Sequence, residues 1–277
     1  MSSLKVIKNR IKSVENTKKI SRTMRLVSAA KYVKAERDLS CARTLGTSPQ
    51  YFFEAAGLKV DLQPKSRLVL AVSGDRGLCG AIHSGIAKAV HMSVETLKLT
   101  TSAPINLICI GEKSRVILAR FYAKKMLWTA SEIGKKPSTF IDACRIAQRI
   151  FKSLEDHTFS QIQVYYNKFI NPNVSIVSTI DLFDRLSIIS APKFVLYDGL
   201  DDNTVDCWVE FTFATIIYLV LKESSVAEHA ARMTAMDNAT KNASEMIKKL
   251  QLKFNRTRQA AITAELNEII SGASAIR

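Results

Sequence analysis

Glycine and proline are scarce in this chain of 277 residues, which contains 10 glycines and 6 prolines. Neither residue occurs in 1–45 or in 200–271, so nothing in those two stretches interrupts a helix. At 1.5 Å per residue, a helix over 1–45 would reach about 65 Å and one over 208–271 about 95 Å. Because neither helix fits inside a compact domain, we expect two long helical arms.

The cysteines and histidines form no pattern that indicates a bound metal. The five cysteines lie far apart, are odd in number and include no C-x-x-C pair, which argues against a disulfide framework and a zinc site. The four histidines show no metal-ligand spacing. We therefore expect a reducing compartment, no metal and no cofactor. The most apolar run, residues 213–221, is shorter than the roughly 20 residues of a membrane-spanning helix, so we expect a soluble protein.

Positive charge is in excess and unevenly distributed. The formal net charge is +15, and residues 1–46 carry 12 basic but only 3 acidic residues. Such an arm could contact nucleic acid, anionic lipid or acidic protein loops, and its composition also resembles a transit peptide. A nucleic-acid-binding coiled coil should carry base-stacking aromatics, but Tyr32 is the one aromatic residue in 1–46.

Both arms show apolar residues at alternating spacings of three and four, which is typical of a coiled-coil seam. In the first arm these residues are Leu4, Ile7, Ile11 and Val14, followed out of phase by Ile20, Met24 and Val27. In the second arm they are Met236, Thr240, Ala243, Ile247, Leu250 and Phe254, followed out of phase by Ile262, Leu266, Ile269, Ala273 and Ile276. A long helix with a narrow apolar stripe needs a partner, so we expect the two termini to wrap each other. Two helices of an ordinary bundle are the alternative.

The middle of the chain alternates between strand and helix patterns. Segments rich in Val and Ile predict strands at 67–73, 105–111, 162–167 and 174–180, with a further edge strand at 125–131. Helices are expected near 83–99, 112–123 and 139–154, and loops at 47–49 and 135–138. The fold class is therefore α/β, a long antiparallel coiled coil of the terminal helices plus a small Rossmann-like domain. We divide the chain at residues 60 and 205, into 1–60, 61–205 and 206–277.

A glycine-rich turn, SGDRGLCG at 73–80, follows a strand and precedes a helix, where backbone N–H groups can bind phosphate. Its glycine spacing matches neither the P-loop nor the dinucleotide fingerprint, so an ordinary tight turn is the preferred interpretation. A nucleotide-binding enzyme would explain this turn but would leave both arms without a role. No catalytic constellation emerges.

Three segments together resemble the gamma subunit of F-type ATP synthase, mitochondrial type. They are LKVIKNRIKSVENTKKISRTMRLVSAAKYVKAERDL near the start, DRGLCGAIHS in the turn, and KESSVAEHAARMTAMDNATKNASEMIKKLQLKFNRTRQAAITAELNEIISGASAI near the end. The resemblance begins at Leu4, so we interpret the basic arm as mature structure and expect no transit peptide in this sequence. It implies a non-catalytic central-stalk rotor at the matrix face of the inner mitochondrial membrane. The implied partners are the ring of alpha and beta subunits, the c-ring and the delta and epsilon subunits.

The resemblance also implies roles for individual residues. Met24, flanked by Arg22 and Arg25, matches the position beside an acidic lever of beta, and Arg232 matches a conformationally coupled arginine. Further coupling positions match Arg258, Gln259, Thr263 and Glu265. The uncharged tip matches an end that turns in an apolar sleeve, and its residues are Ile269, Ile270, Ala273, Ala275 and Ile276. Residues 201–213, DDNTVDCWVEFTF, depart from the family pattern.

Overall fold

The computed structural model describes residues 2–58, 66–100, 104–134, 136–156, 159, 161–198 and 201–275. Its main elements are α1 (Ser2–Ala56), β1 (Arg67–Val72), α2 (Ile82–Thr100), β2 (Ile105–Ile110), α3 (Glu112–Tyr122), β3 (Met126–Ala130), α4 (Phe140–Asp156), β4 (Gln161–Asn171), β5 (Val174–Leu182), α5 (Arg185–Ile189) and α6 (Asp202–Ala275). The chain forms two compact units. The helical unit contains Met1–Ser28 and Met233–Arg277, and the sheet unit contains Ala29–Arg232. Our division at residues 60 and 205 stays a prediction.

The sheet has five strands in the order β3-β2-β1-β4-β5. Strand β1 pairs in parallel with β2 and β4, and β2 pairs in parallel with β3, whereas β5 returns antiparallel to β4. All five predicted strands are confirmed, including the edge strand β3. The β4–β5 hairpin extends further than the sequence pattern indicated, to Asn171 on β4 and to Leu182 on β5.

The two faces of the sheet are covered by different helices, as the alternation of side chains along β1 requires. Leu68, Leu70 and Val72 belong to a core cluster that includes residues of α1, α4 and α6. Val69 and Ala71 point to the other side, into a cluster built with α2 and α3. Every residue of β1 is buried, which is typical of a central strand with helices on both faces.

Helix α6 is the one described helix long and apolar enough to cross a membrane, and its most apolar window is 61% buried inside the protein. That burial is expected of a core helix. The segment 201–213, which we expected to depart from the family pattern, leads into the first turns of this helix and supplies core contacts. Val205, Val209 and Phe213 are buried there, and the Trp208 ring packs edge-on against Phe52 at a centroid distance of 5.3 Å.

The buried stripe of α1 keeps one phase along the whole helix, so the predicted interruption is wrong. Its residues continue at spacings of three and four and are at least half-buried: Leu4, Ile7, Ile11, Val14, Lys18, Ser21, Arg25, Ser28, Tyr32, Ala35, Leu39, Ala42, Gly46, Pro49, Phe53 and Ala56. By contrast Ile20 is 61% exposed and Val27 51% exposed. Several of the buried positions carry polar residues. The spacing of apolar residues in the sequence therefore indicated their bulkier neighbours instead.

The predicted loop at 47–49 is also wrong, because α1 continues through it to Ala56. Pro49 removes one backbone N–H donor from the helix. The Thr47 hydroxyl donates a hydrogen bond of 2.8 Å to the Arg43 carbonyl, which stays within the helix. Pro49 itself is buried, so its ring contributes to packing. The alternating spacing of three and four, a period of seven residues, places position 49 in the buried stripe.

In the helical unit, the buried stripe of α6 follows the prediction from Met236 to Phe254 and then continues in phase through the half-buried Thr257 and Ala261. The predicted phase shift is wrong. Ile262 is 49% exposed and Leu266 53% exposed, and the described side chains from 262 to 274 are all exposed. The residues that continue the buried stripe at this end are small. The spacing of apolar residues in the sequence therefore indicated the larger isoleucines nearby.

Gly46 provides a test of how closely α1 and α6 pack in the sheet unit. A Cβ placed on Gly46 would lie 2.4 Å from the Leu219 Cβ, much closer than two such atoms approach. We expect Gly46→Ala to lower the free energy of unfolding by about 1–3 kcal/mol, because the helices must separate or the leucine must move. Urea denaturation of the full chain measures this.

Gly272→Ala is the matched control, because Gly272 also lies in a helix but has no neighbour within 4 Å of an added Cβ. Alanine there should be neutral or stabilising by up to about 1 kcal/mol. Equal effects of the two substitutions would show that the helices do not approach closely at Gly46.

Candidate functional site

The turn from Ser73 to Gly80 joins β1 to α2, and its own side chains satisfy the nearby backbone. Asp75 Oδ1 accepts a 2.7 Å hydrogen bond from the Glu112 amide, the first residue of α3. The Ser73 hydroxyl accepts a 3.1 Å bond from the Ser114 amide in the same helical turn. Asp75 and Ser73 thus cap the first turn of α3 and are used within the chain. These contacts favour the interpretation of an ordinary tight turn.

His83, in the first turn of α2, holds the same loop through both ring nitrogens. Nδ1 accepts a 3.4 Å hydrogen bond from the Gly74 amide, and Nε2 lies 3.1 Å from the Arg76 carbonyl. Since a carbonyl only accepts, Nε2 carries the proton and the ring is neutral. Burial lowers the pKa of His83, which keeps the ring uncharged at neutral pH.

Arg232 and Glu228 on α6 close the loop from the other side. Their side chains form an ion pair, and both residues are buried. Arg232 Nε also donates a 3.3 Å hydrogen bond to the Gly77 carbonyl. An added Cβ at Gly74 would lie 2.0 Å from Glu228 Oε2, so a larger residue there would displace the Glu228 carboxylate. Glu228 was not among the residues predicted from the sequence, although the Glu–Arg spacing of four on a helix is a recognisable signal.

A second ion pair, between a buried Glu223 and a partly exposed Arg43, joins α1, α6 and β4. Arg43 Nε donates a 2.7 Å hydrogen bond to Glu223 Oε1, and the Phe169 amide donates one of 2.7 Å to Glu223 Oε2. Arg43 Nη2 donates to the Phe169 carbonyl at 2.6 Å. Nearby, Lys222 Nζ lies 2.8 Å from Asp38 Oδ2. Because Asp38 pairs with Lys222 while Gly46 faces Leu219, the two helices run antiparallel in the sheet unit.

The helical unit contains the predicted lever-contact residues. Arg22 is exposed and Met24 is half-buried. Arg25 Nη1 lies 3.5 Å from Asp237 Oδ1, and Asp237 also pairs with Lys241 at 2.8 Å. The hydrogen bond from Lys241 lowers the pKa of Asp237. Arg22 and Met24 therefore lie on an accessible side of α1, whereas Arg25 is engaged with α6.

The remaining predicted contact residues lie on exposed parts of α6. Arg258, Gln259, Thr263 and Glu265 are all exposed, and the Thr263 hydroxyl donates a 2.9 Å hydrogen bond to the Gln259 carbonyl. Of the predicted tip, Ile269 is 66% exposed and Ile270 65% exposed, and Ala273 is also exposed. Ile276 lies outside the described residues. Arg232, in contrast, is buried in the sheet unit.

Comparisons with known proteins match almost the whole chain. The sequence model of the ATP synthase family matches residues 3–276. The mitochondrial ATP synthase gamma subunit of Drosophila melanogaster is 45% identical over 278 aligned positions, covering all of this chain and 91% of the fly protein. The chain belongs to the ATP synthase gamma-subunit family.

Two further relatives agree. The gamma subunit of the mitochondrial ATP synthase F(1) complex of Rattus norvegicus is 42% identical, covering 99% of this chain and all of the rat protein. A chain in the cryo-EM structure of the Tetrahymena thermophila mitochondrial ATP synthase, titled central stalk and c-ring, is 26% identical. It has a TM-score of 0.68 and covers 79% of this chain and 99% of its own. The resemblance and the fold class are confirmed.

The described residues of this gamma subunit contain no group of three or more His, Cys, Asp or Glu side chains that could hold a metal ion. All five cysteines are free, and Cys79 and Cys109 are buried. Burial raises the pKa of Cys79 to about 11, so its thiol stays protonated at neutral pH. Cys79, inside the glycine-rich turn, therefore fits a packing residue better than a nucleophile.

Replacement of Arg232 tests its structural role in this gamma subunit. We expect Arg232→Ala to lower the free energy of unfolding by about 3–5 kcal/mol, because Glu228 would remain buried without its partner. Urea denaturation of the full chain measures the loss. Adding Glu228→Gln to the Arg232→Ala chain removes the unpaired charge. This second substitution should restore part of the lost free energy of unfolding.

Arg256→Ala is the control, because Arg256 is an exposed arginine on the same helix and its loss should change stability by less than about 0.5 kcal/mol. A small effect of Arg232→Ala, similar to this control, would contradict a holding role for the ion pair.

Proposed function

We propose that this chain is the rotor shaft of a mitochondrial ATP synthase, which couples the turning of a proton-driven c-ring to conformational changes in the catalytic beta subunits. The observation that carries this function is the match to mitochondrial gamma subunits over the whole chain. Its partners are the ring of alpha and beta subunits, the c-ring and the delta and epsilon subunits. It lies at the matrix side of the inner membrane, and nucleotide chemistry occurs on beta.

The coupling is allostery by contact between rigid bodies, in which each shaft orientation favours a different conformation of a beta subunit. Helices of 55 and 74 residues provide the stiff element that this requires. The basic residues of α1 attract an acidic partner surface. Charge pairs between solvated surfaces contribute only about 0–1 kcal/mol each, so packing must transmit much of the force.

The proposal also assigns individual residues of the chain to contacts with the beta subunits. Arg22 and Met24 are accessible for a lever of beta, and Arg258 and Gln259 are accessible for a loop of beta farther along α6. The accessible Thr263 and Glu265 extend the second contact. Arg25 and Arg232 have a different role, since each forms an ion pair within the chain. Arg25 positions the helix, and Arg232 positions the loop.

The tip residues Ile269, Ile270 and Ala273 have the chemistry of a sliding surface. A strong directional ion pair would have to break as the shaft turns, whereas hydrophobic contact has no preferred direction. The exposure of Ile269 and Ile270 leaves them free to contact an apolar sleeve. Force is therefore transmitted at Arg258 and Gln259, and the tip only guides the rotation.

Co-expression tests the function itself. The chain expressed with the alpha and beta subunits of the same organism should copurify with them in a stable complex. The purified chain alone should neither bind nor hydrolyse ATP, which equilibrium dialysis and a phosphate-release assay measure. Failure to enter the complex would refute the rotor function, and ATP binding by the chain alone would favour the nucleotide-binding alternative.

A rotation assay tests where force is transmitted. In the assembled complex, Arg258→Ala combined with Gln259→Ala should reduce ATP-driven rotation more than truncation of residues 270–277 does, because the truncated segment only guides the shaft. Single-molecule rotation under load measures both variants. Lys253→Ala combined with Gln251→Ala is a matched control, since both residues are exposed on α6 outside the proposed contact. A larger effect of the truncation would contradict our assignment.

A further inference from the structure

The sheet unit contains a cavity of about 80 Å³ that the rotor function does not use. Three segments surround it, namely α1, the connection between β3 and α4, and α6. The charged and titratable side chains that line it are Lys31, Lys34, Asp38, Lys136, Lys222 and His229. Basic groups thus converge on one small space from all three segments.

Positive charge dominates the lining. Lys222 Nζ lies 2.8 Å from Asp38 Oδ2, so these two charges compensate each other. Asp38 is the one carboxylate among the described lining residues. The charges of Lys31, Lys34 and Lys136 consequently have no counter-charge in the described part of the cavity wall. Lys31, Lys34 and Lys136 are exposed residues that border this space, and their three positive charges create a local potential that attracts an anion.

His229 adds a neutral donor to this lining. Its Nδ1 lies 3.3 Å from Arg232 Nη1, and because a guanidinium only donates, Nδ1 must accept. The proton of the neutral ring is then on Nε2. Burial is the largest cause that lowers the pKa of His229 to about 4, and the positive charges of Arg232, Lys31 and Arg76 add to it. At neutral pH the ring therefore contributes an N–H donor and no charge.

The size of the cavity restricts the ligand. By the usual measure of about 10–15 Å³ per water-sized group, it has room for roughly six such groups. A tetrahedral oxyanion, with one central atom and four oxygens, fits this space. A whole nucleotide is several times larger than this space.

We propose that this cavity binds one tetrahedral oxyanion of the size of inorganic phosphate, held by Lys31, Lys34 and Lys136 with His229 as a neutral donor. Lysine ammonium groups bind phosphate as point charges. The hydroxyl of Ser225, which also lines the cavity, provides a further donor.

Histidine resonances report binding directly. The full chain, labelled with ¹³C in its histidine rings, is titrated with sodium phosphate at constant ionic strength, with chloride as the replacing salt. The His229 resonance, assigned with His229→Gln, should move along a saturable curve. That of His91, which lies on α2 against Tyr122, should not move. A sulfate titration should give the same response, because sulfate has the same shape.

Lysine variants separate a site from a general charge effect. Lys34→Gln and Lys136→Gln should each weaken binding about fivefold, the upper range for one solvated ion pair. Lys248→Gln removes the same charge from an exposed position outside the cavity and should leave the dissociation constant unchanged. A linear response of His229, an equal response to chloride, or equal weakening by Lys248→Gln would refute the site.

Discussion

The unbroken seven-residue period of α1 is the constraint on which the architecture depends. Every third or fourth residue from Leu4 to Ala56 is at least half-buried, whether it is isoleucine, serine, lysine, glycine or proline. The phase is maintained by geometry and not by uniform hydrophobicity, because one stripe of a helix can face a partner over many turns only at this spacing. Burial at Ser21 and Ser28 follows from their place in that period.

The same constraint explains what could be predicted from the sequence. The strands and their order along the chain were predictable because a buried sheet requires continuous Val- and Ile-rich segments bounded by turns. The phase of the long helices was not. Lys18, Ser21 and Arg25 occupy seam positions, while the bulkier Ile20 and Val27 are exposed, so hydropathy alone gives the wrong stripe. Pro49 likewise looks like a helix breaker until its burial is known.

The residues of the candidate site also differ in how far they could be predicted from the sequence. Its exposed contact residues, such as Arg258 and Gln259, follow from a resemblance and have no distinguishing physical signal, since each is an exposed polar residue on a helix. The contacts of Arg232 and Glu223 do have physical causes that the structure makes visible. Arg232 bonds the Gly77 carbonyl, 155 residues away in the sequence, and Glu223 pairs with Arg43, 180 residues away, which no local pattern could reveal. Distant pairing of this kind is set by topology.

The apolar residues outside the seam affect the chain before it assembles. Ile20, Leu26 and Val27 on α1 and Ile262, Leu266, Ile269 and Ile270 on α6 are about half or more exposed. Clusters of this kind on a free protein promote aggregation and recognition by chaperones and proteases. We therefore expect a copy without partners to have a shorter lifetime in a cell than a copy whose apolar residues are covered. The apolar residues that assembly covers would in this way link the amount of the chain to the amount of its partners.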